Sequence, residues 1–269
     1  MDLGLSARRC LITGASRGIG LATARGLCAE GARVLLLGRS KEALIAAAQE
    51  CERAGAGSGG SADWMALDLL DPDAGERAVA CCAEQLGGID VLVNNAGTSA
   101  RRSLDELTDE EWQAQWDLHV MAPMRLMRAA APRMAAAGWG RVVNVSSSSG
   151  KRPSGSNAAY GVTKAAMLSL SRTFADAYAA RGVLVNAIAP GPVATELWMG
   201  DGGLADQAAR AGGISREQVL EAAGARVPLG RFAEPDEIAS VIVFLCSEAA
   251  SVVAGAAWSV DGGAVPVII

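Results

Sequence analysis

The sequence predicts an α/β fold, a doubly wound, seven-stranded parallel sheet with helices on both faces, occupying residues 1–269 as one domain. Three observations carry this. Short aliphatic runs alternate with longer Ala/Leu-rich stretches along the whole chain. The runs are continuously apolar, as strands are when both faces of a parallel sheet are covered. The first run passes into a helix through a glycine-rich turn.

The elements follow in order. Residues 10–13 form the first strand, and a helix runs to about Glu30, where Gly31 supplies a stop. Residues 34–37 are the second strand, and Ser40 caps a helix from Lys41 to about Arg53. Residues 54–61 are rich in Gly and Ser and read as an exposed loop. Residues 64–67 make a short third strand, and Asp71 and Pro72 open the third helix. Residues 91–93, 141–145 and 183–188 are the next three strands. A helix from Pro235 to about Ser247 precedes the last strand, residues 256–260. Residues 191–226 hold five glycines from Gly200 to Gly213 and read as a long irregular segment, a substrate-binding lid. No internal repeat or interdomain linker is visible.

Composition narrows the function classes. Hydrophobic residues make up 51%, enough for a large core, and the 20% of charged residues form no disordered tract. A net charge of -5 offers no basic surface, so neither nucleic acid nor an anionic membrane is an expected partner. No apolar run approaches ~18 residues, so no membrane span is expected. Residues 1–9 lack the apolar core of a signal peptide, and a cytoplasmic location is expected. The six cysteines form no C-x-x-C pair and His119 is the sole histidine, so no metal site is expected. Such cysteines suit a reducing compartment, as small buried hydrophobes.

The turn after the first strand contains Gly14, Ser16, Arg17, Gly18, Ile19 and Gly20, spaced G-x-x-x-G-x-G. Glycines there let backbone N–H groups approach a pyrophosphate, and the helix N-terminus adds partial positive charge. Its place between an apolar strand and a helix predicts a Rossmann-type cofactor site. At the end of the second strand, where an acid would bind the adenosine ribose of NAD, the chain has Gly38, Arg39 and Ser40. Arg39, with Arg17, suits the extra phosphate of NADP(H).

Tyr160 and Lys164 sit one turn apart on a predicted helix whose apolar stripe is Met167, Leu170, Phe174 and Ala177. An ammonium near a phenol favours phenolate and lowers its pKa from about 10, which suits proton exchange with a substrate oxygen. Ser147 lies just beyond the fifth strand, where ligands bind in open α/β sheets.

These motifs in order resemble those of the classical short-chain dehydrogenase/reductase family, most nearly its 3-oxoacyl-carrier-protein reductase-like branch. The matches are T-G-A-S-R-G-I-G at 13–20, Asp68 with Leu69, N-N-A-G at 94–97, Ser147, Y-x-x-x-K at 160–164, N-A-I-A-P-G-P-V-A-T at 186–195, P-L-G-R-F at 228–232 and D-G-G at 261–263. The resemblance implies an NADP(H)-dependent carbonyl reductase/alcohol dehydrogenase. Tyr160 would be the general acid/base, Lys164 would lower its pKa and hold the nicotinamide ribose, and Ser147 would orient the substrate oxygen. Asp68 would bind adenine beside the Leu69 backbone. Asn95, Ala96 and Gly97 would line the adenosine side. Pro190, Gly191, Val193 and Thr195 would hold the nicotinamide. Ser149 and Trp198 are candidate substrate contacts, Trp198 together with Leu197 and Met199 of the lid; these three would otherwise only pack the lid. The resemblance also implies a homotetramer, with the helix after Tyr160 and the last helix and strand at the interfaces; separately, the apolar tail 265–269 is of the kind a neighbour covers.

One residue departs from the family. His119 stands in the fourth helix where the family usually has Asn, whose backbone helps hold a relay water. Two readings stay open: a structural side chain with only its carbonyl facing the relay, or an imidazole that titrates within it. The competing functions are a non-catalytic dinucleotide-binding regulator, and dehydration or epimerisation on the same fold.

Overall fold

The computed structural model describes residues 2–266. Seven strands form one parallel sheet: β1 (Arg9–Thr13), β2 (Arg33–Gly38), β3 (Ser61–Ala66), β4 (Val91–Asn94), β5 (Gly140–Val145), β6 (Val183–Pro190) and β7 (Ala257–Val260), in spatial order β3-β2-β1-β4-β5-β6-β7. The order reverses between β1 and β4, which opens a crevice at their carboxyl ends.

Period-2 alternation sends side chains into two cores. Cys10, Ile12, Val34, Leu36, Val91 and Val93 face α1 (Gly18–Ala29), α2 (Lys41–Gly55) and α11 (Pro235–Leu245). Leu11, Leu35, Leu37, Leu92 and Val142 face α3 (Ala74–Leu86), α5 (Ala122–Ala136) and α7 (Ala158–Tyr178). The continuous apolar runs read in the sequence are these doubly covered strands. The edge strands β3 and β7 are less covered: Asp63 and Ala66 are exposed, as are Trp258 and Ser259.

Several boundaries differ from the sequence reading. β3 starts at Ser61, three residues early, because the expected exposed loop is a tighter turn, residues 56–60. A Cβ at Gly60 would stand 2.0 Å from the Cys28 carbonyl oxygen, so only glycine permits this approach to α1. The apolar stripe of α7 runs through Met167 and Ala175, with Leu170 and Phe174 packed partly against the core, while Ala177 is exposed. Residues 191–226 are largely helical: α8 (Glu196–Met199), α9 (Leu204–Gly212) and α10 (Arg216–Ala225). Their glycines serve as joints between short helices; Gly213, for example, ends α9 in the left-handed conformation. α4 (Asp109–Trp116) joins α5 through a five-residue π-helical turn, Asp117–Met121, which carries His119. Of the expected apolar tail, Val265 is buried within its own chain, and residues 267–269 lie outside those described. Among the described residues no helix is long and apolar enough to cross a membrane, and no group of His, Cys, Asp or Glu could hold a metal ion.

Candidate active site

The carboxyl ends of β1, β4, β5 and β6 open into a cleft of about 1400 Å³. At one end lies the glycine turn. Gly14 takes φ +64°, and a Cβ there would press on Ala96 Cα at 2.9 Å. Asn95 clasps this turn from β4: its Nδ2 donates to the carbonyls of Thr13 (2.9 Å) and Gly14 (3.0 Å). Thr13 Oγ1 returns the contact by accepting from the backbone N–H of Asn95 (2.9 Å) and Ala96 (3.0 Å). Thr13 was not singled out in the sequence, although its hydroxyl in an otherwise apolar strand was the available signal. α1 starts at Gly18, and Arg17 at its N-cap makes no side-chain cap bond, so its first N–H groups have no side-chain cap. Such an open, glycine-lined N-terminus fits a diphosphate.

Ser16, Arg17, Gly18 and Ile19 line the cleft, whereas Gly20 packs beneath it, where a Cβ would fall 2.3 Å from the Gly14 carbonyl oxygen. Arg39 lines the cleft at the end of β2. Neither Arg17 nor Arg39 has a carboxylate partner among the described residues. Ser40 is engaged elsewhere: it caps α2 by accepting from Ala43 N at 3.2 Å and donates to Glu42. Asp68 and Leu69 line the wall beyond β3, with one Asp68 oxygen held by Leu70 N. Ala96, Gly97, Pro190, Gly191, Val193 and Thr195 line the middle. Asp261 supports this stretch from behind, since a Cβ at Gly191 would meet its carbonyl oxygen at 2.9 Å.

Ser147, Tyr160 and Lys164 meet on the floor. A buried polar ladder fixes α7 there: Asn94 Nδ2 donates to Asn144 Oδ1 (2.7 Å), and Asn144 Nδ2 donates to Ser171 Oγ (2.8 Å). Ser146 Oγ adds a bond to the Lys164 carbonyl at 2.8 Å. Ser147 starts the short helix α6 (Ser148–Lys151), its Oγ accepting from Ser149 N at 3.1 Å. Lys164 is 3% exposed, and its Nζ donates to the Val145 carbonyl at 2.8 Å. Burial brings its pKa down to about 7. Burial also pushes the Tyr160 phenol up from its usual 10, against a smaller lowering by the Ser147 hydroxyl. This reverses the sequence expectation of a lowered phenol. The Lys164 amine points to a backbone carbonyl, and its own desolvation weakens its charge.

His119 is 0% exposed directly behind Tyr160, with ring centroids 5.3 Å apart and planes nearly perpendicular. Burial, and then Lys164, hold its pKa well below the usual value. At the far end, Ser149 lines the cleft opposite the lid. Trp198 both lines the cleft and packs edge-on against Phe232 at 5.1 Å. Gln207 of α9 ties that helix to the segment after β4 by accepting from the Arg101 backbone N–H at 2.8 Å.

Known proteins match this architecture across its length. A family model described as "Enoyl-(Acyl carrier protein) reductase" matches residues 14–265. The chain is 34% identical to a 3-oxoacyl-[acyl-carrier-protein] reductase of Thermotoga maritima over 97% of its own length and 99% of the relative's. It is 36% identical to the gluconate 5-dehydrogenase of Gluconobacter oxydans, covering 96% and 95% of the two chains. The crystal structure of L-sorbose reductase from Gluconobacter frateurii, complexed with NADPH and L-sorbose, superposes with a TM-score of 0.92 at 36% identity and full coverage of both chains. With its seven-stranded Rossmann sheet and these matches, the chain belongs to the short-chain dehydrogenase/reductase family of oxidoreductases.

Proposed function

We propose that the protein is an NADP(H)-dependent carbonyl reductase/alcohol dehydrogenase for small polar substrates. The observation that carries this reading is the meeting of Ser147, Tyr160 and Lys164 on the floor of the cleft whose other end is the phosphate-type glycine turn. Gly14 to Ile19 would hold the diphosphate, Arg39 and Arg17 the extra phosphate, and Pro190 to Thr195 the nicotinamide. When bound, the cofactor supplies or accepts the hydride. The protein orients the reactants and moves the proton. Burial keeps the Tyr160 phenol protonated at neutral pH, the state that donates to a carbonyl oxygen. Ser147 Oγ directs that oxygen toward the phenol, and the Lys164 amine holds the ribose side of the site. The substrate end is polar, lined by Ser149, Asn157, Arg101, Arg152 and Gln207 with Trp198 above. Hydroxylated ketones and hydroxylated acids suit such a wall, as do L-sorbose and gluconate, after which two relatives are named.

NADPH oxidation against a panel of keto sugars, keto acids, aliphatic ketones and an enoyl thioester tests the reading. Turnover of hydroxylated carbonyls is expected. Reduction of the enoyl double bond with no ketone turned over would overturn it. In the same assay Arg39→Asp should lower the NADPH-to-NADH preference by roughly 10–100-fold, the worth of one charge-assisted hydrogen bond. Equal kcat/KM for the two cofactors in the unmutated protein would contradict the NADP(H) assignment.

The proposed assembly is a homotetramer. Trp116 and Val162 stand exposed on the neighbouring helices α4 and α7, and Val252 and Trp258 near the β7 edge. Light scattering should give about four times 27.4 kDa at micromolar concentration; a monomer mass would refute it. The six free thiols, five of them buried, fit a reducing compartment such as the cytoplasm.

A further inference from the structure

The imidazole of His119 bridges two parts of the site. The backbone N–H of Thr98, in the loop after β4, donates to Nε2 at 3.2 Å. Nε2 therefore carries a lone pair, and the proton of the neutral ring sits on Nδ1. Nδ1 lies 3.1 Å from Thr163 Oγ1, whose hydroxyl donates onward to the Tyr160 carbonyl at 2.9 Å. A protonated ring would set N–H against N–H at Thr98. The ring is fully buried, and Gly97 leaves it its place: a Cβ there would lie 3.1 Å from Nε2. The charged group facing the ring is Lys164, on α7; Asp117, on the same π turn, is held by Gln113. Tyr160 meets the ring edge-on.

We propose that His119, as the neutral Nδ1–H tautomer, is a positioning residue that ties the cofactor-side loop at 95–98 to the Tyr160 turn of α7, and that it carries no proton in the reaction. The proposal rests on the reading of the site as a reductase. It departs from the titrating reading and sharpens the structural one: the side chain joins two named parts of the site. The π-helical turn is the local device, for it re-aims one side chain between two elements.

The sole histidine makes the test direct. Protein labelled with ¹⁵N-histidine should show a protonated Nδ1 and an unprotonated Nε2, both unchanged from pH 5.5 to 8.5. An Nε2–H tautomer, or a titration inside that range, would overturn the proposal. Two variants then separate the two bonds. An Asn amide reaches only the Nδ1 position and a Gln amide only the Nε2 position. His119→Asn should leave Thr98 N–H unpaired and weaken cofactor binding about tenfold with kcat nearly unchanged. His119→Gln should keep cofactor binding and lower kcat about tenfold. Equal effects of both variants on both parameters would refute the bridging role. Cofactor affinity, read by fluorescence titration, and the tautomer need no turnover, so their failure is distinct from a failure of the proposed activity.

Discussion

Replacing Tyr160 by Phe should reduce kcat by about 10²–10⁴-fold, the usual worth of a general acid. Cofactor affinity should stay within threefold. The ring remains, so its edge-on contact with His119 and the seat of α7 survive. Only the phenolic O–H is lost, together with its contact to Ser147. Steady-state kinetics and a fluorescence titration with NADPH measure the two quantities. A near-normal kcat would mean that another group moves the proton. The titratable neighbour that shares the cleft floor is Lys164, while His119 is buried behind the ring.

Lys164→Met should abolish most turnover and yet stabilise the fold. Burial takes the lysine from its usual 10.5 down to about 7. A base whose folded pKa is depressed opposes folding wherever the unfolded chain is charged. That cost is present in full below about pH 7 and disappears as pH rises to the unfolded value. A shift of this size is worth roughly 5 kcal/mol at most, and the lost bond to the Val145 carbonyl returns about 1 kcal/mol or more. The net gain is on the order of 3 kcal/mol, or roughly 5–10 °C in Tm. Thermal melts of the cofactor-free protein at pH 6 and pH 9 check the sign: the gain should be larger at pH 6. An unchanged or lower Tm at pH 6 would show that Lys164 is not held at a cost. Conflict between stability and function at one residue is common where a site uses a buried charge.

Much of the fold was legible because its signals are local. Strands covered on both faces need unbroken apolar runs, so β1, β2, β4, β5 and β6 were found to within one or two residues. Ser40 read as a cap and is one, because a short hydroxyl before a helix has a single nearby donor to serve. Legibility failed where neighbours decide. The start of β3 depends on how closely Gly60 approaches Cys28. The lid helices are short, and Leu204 and Ala205 are buried by contacts that the local pattern does not announce. Ser40 also lay in the segment after β2 where the cofactor was expected, and its hydroxyl is engaged at the start of α2.

The amino-acid order alone determined the alternating α/β plan, the glycine turn after β1, the one-turn spacing of Tyr160 and Lys164, and the absence of an acid at the end of β2. These are properties of residue type and spacing along one element. Tertiary structure alone decided the charge states and the polar contacts of the floor. Residue spacing suggested that Lys164 would lower the Tyr160 phenol, but enclosure by the packed sheet and α7 raises the phenol and lowers the lysine instead. The tautomer of His119 likewise depends on Thr98 and Thr163, 21 and 44 residues away in the chain. Desolvation and hydrogen-bond direction arise only when distant segments close around a group, and no local pattern records them.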